Sequence, residues 1–346
     1  MAKPDLKRNT DVPATIAGFY FQIILACREI CMEHVEQVGV ETGADIVVID
    51  DNKYKTYIET KLHSRNFNCF SRDVIKTIYN FYSSYKKSEQ IKKMIFLTNV
   101  GIAYKNKSLF DTWGTVDIQK IQYIKKAILR QSVETSTECK KMFEQFCAKF
   151  SKEKKDLLDD LIKEVFNQNS AYKYLDYAIE NSDCSYDTFI EKTKFIFLNK
   201  KKVEVFEAIE KETEEKIAKD YLQIPENIQK ESISEEGAKL VFSRLVKIFF
   251  DCIVENSQKG TKRYIFVKEY QDCLSDYYAN KETSKAIKEA KQVNHWIKML
   301  AYDEEEFLEE LDLEQEEDRV YQECYSNVKT LFLNKIQEEK GDLAFE

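Results

Sequence analysis

Asp45, Glu59 and Lys61 make a D-x13-E-x-K pattern within "DIVVIDDNKYKTYIETKLHS", residues 45–64. Two acids that converge beside a lysine suit a hard divalent cation. Mg²⁺ takes oxygen ligands, commonly one or two carboxylates, and keeps waters that a substrate can replace. The chemistry such a trio serves is phosphodiester hydrolysis. The ion holds the scissile phosphate and helps generate hydroxide, while Lys61 orients that water or neutralises charge in the transition state. Glu41, four residues before Asp45, and Gln22 are candidate further oxygen ligands. Mn²⁺ is a chemically reasonable substitute for Mg²⁺.

The pattern alone is short and built of common residues, so it matches many chains by chance. A Glu-Lys pair on one face of a surface strand is worth little and does no chemistry. What separates the two readings is whether the backbone brings Asp45 to Glu59. Alternation along a strand puts Tyr57, Glu59, Lys61 and His63 on one face and Ile58, Thr60 and Leu62 on the other. Directly opposed residues of an antiparallel pair project to the same face. A register that opposes Asp45 to Glu59 also pairs Val47 with Tyr57 and Asp50 with Tyr54, leaving Asp51, Asn52 and Lys53 as a three-residue loop. A four-residue loop shifts the pairing and sends the carboxylates to opposite faces.

The elements around this hairpin follow from periodicity. Apolar residues at Ile16, Phe19, Ile23, Ala26, Ile30 and Val35 predict a helix over about 14–36. Two strand-like runs follow, "VGVETGADIVVID" and "KYKTYIETKLHS", around the polar turn. On one regular strand, Glu41 shares a face with Asp45. "SRDVIKTIYNFYSSYKK" predicts a helix capped by Ser71, with Tyr79, Phe81, Tyr82 and Tyr85 read as core more than as a base-stacking platform. "KKMIFLTNVG" predicts a buried strand. Helix, strand, strand, helix, strand is an α/β order. From about residue 115 the spacing turns helical, with "KFIFLN" at 194–199 a candidate extra strand. The expected division is 1–114 and 115–346.

Only 8 Gly and 3 Pro in 346 residues agree with long helices. Residues 1–110 carry 16 Lys plus Arg against 12 Asp plus Glu, and the remainder 37 against 49. That balance permits a local positive surface at the N-terminal region but not general nucleic-acid binding. Residues 303–318 hold eleven acids, read as a solvated amphipathic face. The nine cysteines include no CxxC pair, which points away from a disulfide framework or a zinc pattern. Cys27, Cys31 and His34 share helical spacing, but a core face explains them better than a metal site. No apolar run is long enough for a membrane span and the start lacks a signal-peptide core, so a cytoplasmic protein is expected.

With these residues in view, the chain resembles the PD-(D/E)XK endonucleases, in particular the effector nuclease domain shared by SAVED-linked CBASS effectors and Lamassu LmuA proteins of bacterial anti-phage defence. The matching pieces are "GFYFQ" at 18–22, "ETGAD" at 41–45, "YIETKLHS" at 57–64 and "FLTN" at 96–99, with similarity continuing to about residue 280. The resemblance implies an N-terminal restriction-endonuclease-like domain, a mixed sheet flanked by helices, followed by a mostly helical assembly and regulatory domain. It implies metal ligation by Asp45 and Glu59, catalysis by Lys61, and support from Gln22 and Glu41. Relatives often carry Gln where Glu59 stands. The length and helical texture after residue 115 leave no room for a cyclic-nucleotide-sensing SAVED domain, which favours the Lamassu type.

That type implies double-stranded DNA as substrate, an SMC-like ATPase and a small accessory subunit as partners, and activation by self-association. His63 and Arg65 are candidate phosphate contacts, although exposed basic residues after a strand are commonplace. Two rivals stay open: an RNase on the same scaffold, and a non-catalytic helical adaptor that retains the fold.

Overall fold

The structure is a computed structural model that describes residues 11–68, 71–88, 90–103, 107–135, 186–222, 235–259, 263–278 and 284–302. These residues fall into two compact units, one formed by 1–64 with 199–346 and the other by 65–198. The expected boundary at 114/115 is not where the units divide. Helical texture marks local periodicity, whereas the units follow which helices pack on which strands.

The first unit is built around α1 (Asp11–Ile30), which is followed by three strands, β1 (Val35–Val40), β2 (Ile46–Asp50) and β3 (Lys55–Lys61). Pro13 sits in the first turn of α1, where its missing N–H costs no helical bond. Ile16, Phe19, Tyr20, Phe21, Ile23 and Leu25 are all buried. A helix that is apolar on every side belongs inside a protein. It packs against β1 and against three helices from beyond residue 199: α6 (Lys202–Leu222), α7 (Glu235–Lys259) and α9 (Ser284–Tyr302). The rings of Tyr20 and Phe206 meet edge to face at 5.2 Å, and the Tyr20 hydroxyl donates to Glu210 Oε1 at 2.6 Å. Glu210 also pairs with Lys298, so a buried carboxylate is satisfied from two helices. Cys27 on α1 and Cys31 just past its end are both buried, as the core reading expects.

Helix α1 ends at Ile30, short of the expected 36. His34 adopts a left-handed φ of 63° and Val35 opens β1. Val35 continues the apolar spacing of the helix, so periodicity alone could not see the break. The run "VGVETGADIVVID" is likewise two strands, not one. It folds back at 41–45, with Glu41 at φ 56° and its N–H donating to the Asp45 carbonyl at 3.0 Å.

Strand β1 pairs antiparallel with β2, β2 with β3, and β1 with the two-residue β6 (Ile265–Phe266), which leads into α8 (Val267–Tyr278). Gly39, Val47 and Tyr57 lie in one row across β1, β2 and β3. The ring of Tyr264 covers Gly39 so closely that a Cβ there would sit 2.7 Å from it. Tyr57 shares this cover, and burial followed by the neighbouring Tyr264 raises its pKa.

The second unit contains α2 (Arg72–Lys87), β4 (Ile91–Thr98), α3 (Lys107–Asp111), α4 (Ile118–Thr135), α5 (Tyr186–Lys192) and β5 (Thr193–Phe197). β5 realises the extra strand expected at 194–199 and pairs parallel with β4. Parallel strands are covered on both faces. Accordingly Met94, Phe96 and Leu97 are buried, and Phe110 and Trp113 lie edge-on to Phe195 at 4.9 and 4.6 Å. Ser71 does occupy the N-cap of α2 but makes no side-chain cap bond. Its hydroxyl accepts from the Asn68 N–H instead. Phe81 and Tyr82 are buried, with Tyr82 stacked on Tyr186, which agrees with a core role.

The strands are thus of mixed sense, β1 pairing antiparallel with β2 and β6, β2 with β3, and β4 parallel with β5, with helices packed against both sets. No described helix is long and apolar enough to cross a membrane. The acidic run 303–318 lies outside the described residues, as do residues 136–185 of the region expected to be helical.

Candidate active site

The register on which the site depends is present. Ile46 pairs with Ile58, Val47 with Tyr57, Val48 with Thr56 and Ile49 with Lys55. The Asp50 N–H donates to the Tyr54 carbonyl, and Asp51, Asn52 and Lys53 form the loop. Lys53 takes a left-handed φ of 66°, the third-position conformation of a common three-residue hairpin. Asp50 holds the loop through its Oδ1, which accepts from the backbone N–H groups of Asn52 and Tyr54. A local turn therefore sets a pairing that is read out at the far end of the strands.

One rung beyond the last ladder pair, that register opposes Asp45 to Glu59. Pairs that exchange backbone bonds alternate with pairs that do not, and the second kind brings its side chains closer. Since Asp50 bonds Tyr54, the alternation makes Asp45 and Glu59 a pair of the second, closer kind. Lys61, two residues on, reaches both carboxylates: Nζ lies 3.5 Å from Asp45 Oδ2 and 3.7 Å from Glu59 Oε2. The two acids are largely sheltered, with side-chain exposures of 14% for Asp45 and 12% for Glu59. Two sheltered negative charges side by side repel, and a cation between them offsets that cost.

Asp45 is held by more than Lys61. The Thr60 N–H donates to Asp45 Oδ2 at 2.7 Å, and the Thr60 hydroxyl donates to the same oxygen at 3.0 Å. Among the described residues every donor to this carboxylate reaches Oδ2, and none is found at Oδ1. Sequence periodicity gave no sign of Thr60, because alternation assigns it to the face opposite Glu59.

The remaining candidates fall differently. Gln22 is buried in the middle of α1, and its Oε1 has no hydrogen-bond partner among the described residues. An orphaned buried acceptor is costly and calls for a ligand or water. Glu41 does not share a regular strand with Asp45. It is exposed at the start of the 41–45 turn, where φ 56° re-aims its side chain. No cluster of three or more His, Cys, Asp or Glu side chains suited to a metal ion occurs among the described residues, so Glu41 does not join Asp45 and Glu59. His63 and Arg65 are each exposed and lie past the end of β3 at Lys61, so strand alternation does not extend to His63. His34 bonds Asp51 at 3.2 Å.

The donor set fits a hard divalent ion in kind. It offers two carboxylates and no soft ligand; Gln22, on a helix that packs against β2 and β3, carries an amide oxygen with no partner among the described residues.

No family model and no curated protein matches this sequence. Among solved structures, a SAVED/CARF-domain containing Cap4 receptor from Moraxella osloensis aligns with 78% of this chain and 48% of that one, at 11% identity and a TM-score of 0.38. The chain spans about half the length of that receptor. A superposition this loose fixes neither a shared fold family nor a shared activity.

Proposed function

We propose that the chain is a metal-dependent DNA endonuclease of the PD-(D/E)XK type, the effector of a bacterial anti-phage system that acts by abortive infection. The observation that carries this reading is the hairpin register, which opposes Asp45 to Glu59 and sets Lys61 within 3.7 Å of both. The defence role, the Lamassu LmuA affiliation and the restriction-endonuclease-like fold rest on the resemblance of the short motifs around it.

In this reading Asp45 and Glu59 hold Mg²⁺, or Mn²⁺ in its place, and the Gln22 amide oxygen adds a further donor. The bound ion supplies Lewis-acid neutralisation of the phosphate. Lys61 carries three N–H donors on its ammonium group. It orients the attacking water and offsets charge as it builds on the phosphoryl oxygens, a contribution worth on the order of 10²–10³ in rate for one well-placed group. His63 and Arg65, both exposed, are secondary candidates for contacting phosphate along the strand being cut. An SMC-like ATPase and a small accessory subunit restrain the enzyme, and self-association releases it.

The test is cleavage of duplex DNA by the full chain with Mg²⁺, beside Lys61→Ala, across a dilution series and with RNA in a parallel arm. Cleavage lost in Lys61→Ala with folding intact supports the assignment, and equal cleavage by both proteins overturns it. Preferential cutting of RNA moves the substrate to the RNase alternative, since the site handles phosphate and not sugar. A rate per subunit that is the same at high dilution removes the self-association control. No cleavage of either nucleic acid, with or without partner subunits, favours the non-catalytic adaptor.

A further inference from the structure

We infer that Thr60 is a positioning residue for the Asp45 carboxylate, fastening Oδ2 with two hydrogen bonds so that Oδ1 is presented to the cation. The inference rests on the metal-site reading above and deepens it.

The argument starts from the ladder. Backbone-bonded pairs recur every second residue along β2 and β3, so after Asp50 with Tyr54 the sequence of such pairs runs through Val48 with Thr56 and Ile46 with Ile58. The next N–H in this series belongs to Thr60, and a continued ladder would offer it the carbonyl of Ala44. The chain has already turned away at 41–45. The Asp45 side chain takes the place of that carbonyl and accepts the Thr60 N–H at 2.7 Å. A strand end that would leave a donor without its rung has been used to seize a carboxylate.

The hydroxyl adds what the backbone cannot. Thr60 is 5% exposed, and at such a position Val would fill the same volume. Its Oγ1 instead donates to the same Asp45 oxygen at 3.0 Å. Two donors from one residue, one backbone and one side chain, fix both the position and the rotation of the acceptor. Bonds of this kind behind a metal ligand are typically worth about 10- to 100-fold in metal affinity. Lys61 also reaches this oxygen, but from 3.5 Å and at the end of a long, flexible side chain.

The experiment is titration of Mn²⁺ into the full chain by calorimetry, comparing wild type, Thr60→Val and Thr60→Ser, with metal-free thermal unfolding of each. Thr60→Val is expected to weaken Mn²⁺ by about 10- to 100-fold with little change in metal-free unfolding, and Thr60→Ser to restore affinity to within a few-fold of wild type. Equal affinity in wild type and Thr60→Val, or affinity as weak in Thr60→Ser as in Thr60→Val, overturns the inference while leaving the metal site standing. A wild type that binds no Mn²⁺ overturns the metal-site reading and this inference with it. Should Thr60→Val fail to fold, Thr60→Ser and Thr60→Ala differ only by the hydroxyl and carry the same comparison. Serine must then bind at least about tenfold tighter than alanine, and equal binding by the two overturns the inference.

Discussion

The Lys61 ammonium lies 3.5 Å from Oδ2 of Asp45, so without a metal the lysine itself is the counter-charge of the carboxylate pair. Its second contact, 3.7 Å to Glu59, makes it a bridge between two acids that would otherwise repel. Lys61→Ala should therefore lower the metal-free unfolding midpoint modestly. A partly exposed pair is worth up to about 1 kcal/mol, or roughly 2–4 °C for a domain of this size class. Mg²⁺ should then raise the midpoint of the variant more than that of wild type, because it replaces a missing cation in one and competes with a resident one in the other. Scanning calorimetry with and without Mg²⁺ checks this. An equal metal response in the two proteins contradicts it.

Gln22 has the opposite signature. Its Oε1 is buried with no partner among the described residues, and such an acceptor costs about 1–3 kcal/mol. Gln22→Leu, close in volume, should leave metal-free stability unchanged or raise it by about 1 kcal/mol while weakening Mn²⁺ binding. Urea unfolding of the apoprotein and Mn²⁺ titration measure the two sides. A loss of more than about 2 kcal/mol in the apoprotein would show that the amide is satisfied and structural.

Alkaline pH should unfold the first unit earlier than its charge balance suggests. Burial raises the thiol of Cys27 well above its usual 9.0, pushes Cys31 from 9.0 up to about 12 and raises the Tyr270 phenol, which donates to Asp220 at 2.9 Å. These groups stay protonated in the folded chain while their unfolded counterparts ionise, so above pH 9 the unfolded state binds fewer protons. Their stabilisation is complete below the unfolded pKa and falls as pH rises above it, the Cys31 part being lost between pH 9 and about 12. Each group that ionises only on unfolding contributes a slope of about 1.4 kcal/mol per pH unit. Urea unfolding in reductant, at neutral pH and in steps above 9, measures that slope. A flat profile would mean these side chains reach water in the native state.

The legible part of the site was the hairpin and the register it would need. "DDNK" between two strand-like runs, with acids fourteen residues apart, left a three- and a four-residue loop open, and the structure takes the first, pairing Val47 with Tyr57. Local turn chemistry carries such information because a short loop leaves few choices. The turn at 41–45 was not legible, since "ETGAD" offers no Pro and a single Gly, and an apolar residue precedes and follows it in phase. Glu41 was misplaced for that reason. Thr60 escaped because its contact exists only where a ladder ends, which no periodicity records. The assignment of α6, α7 and α9 to the same unit as α1 depends on contacts nearly two hundred residues apart, such as Tyr20 with Glu210. Amphipathic spacing says that a face will be buried, not what will bury it.

That long-range packing bears on how the protein is made. On the ribosome, α1 and the hairpin of β2 and β3 emerge first, yet Tyr20 and Phe21 find Phe206 only after residues 65–198 have been synthesised. The strands that carry Asp45, Glu59 and Lys61 must wait for a core that arrives late. The pairing of Asp45, Glu59 and Lys61 is thus set late in translation, by the order of the chain's own elements.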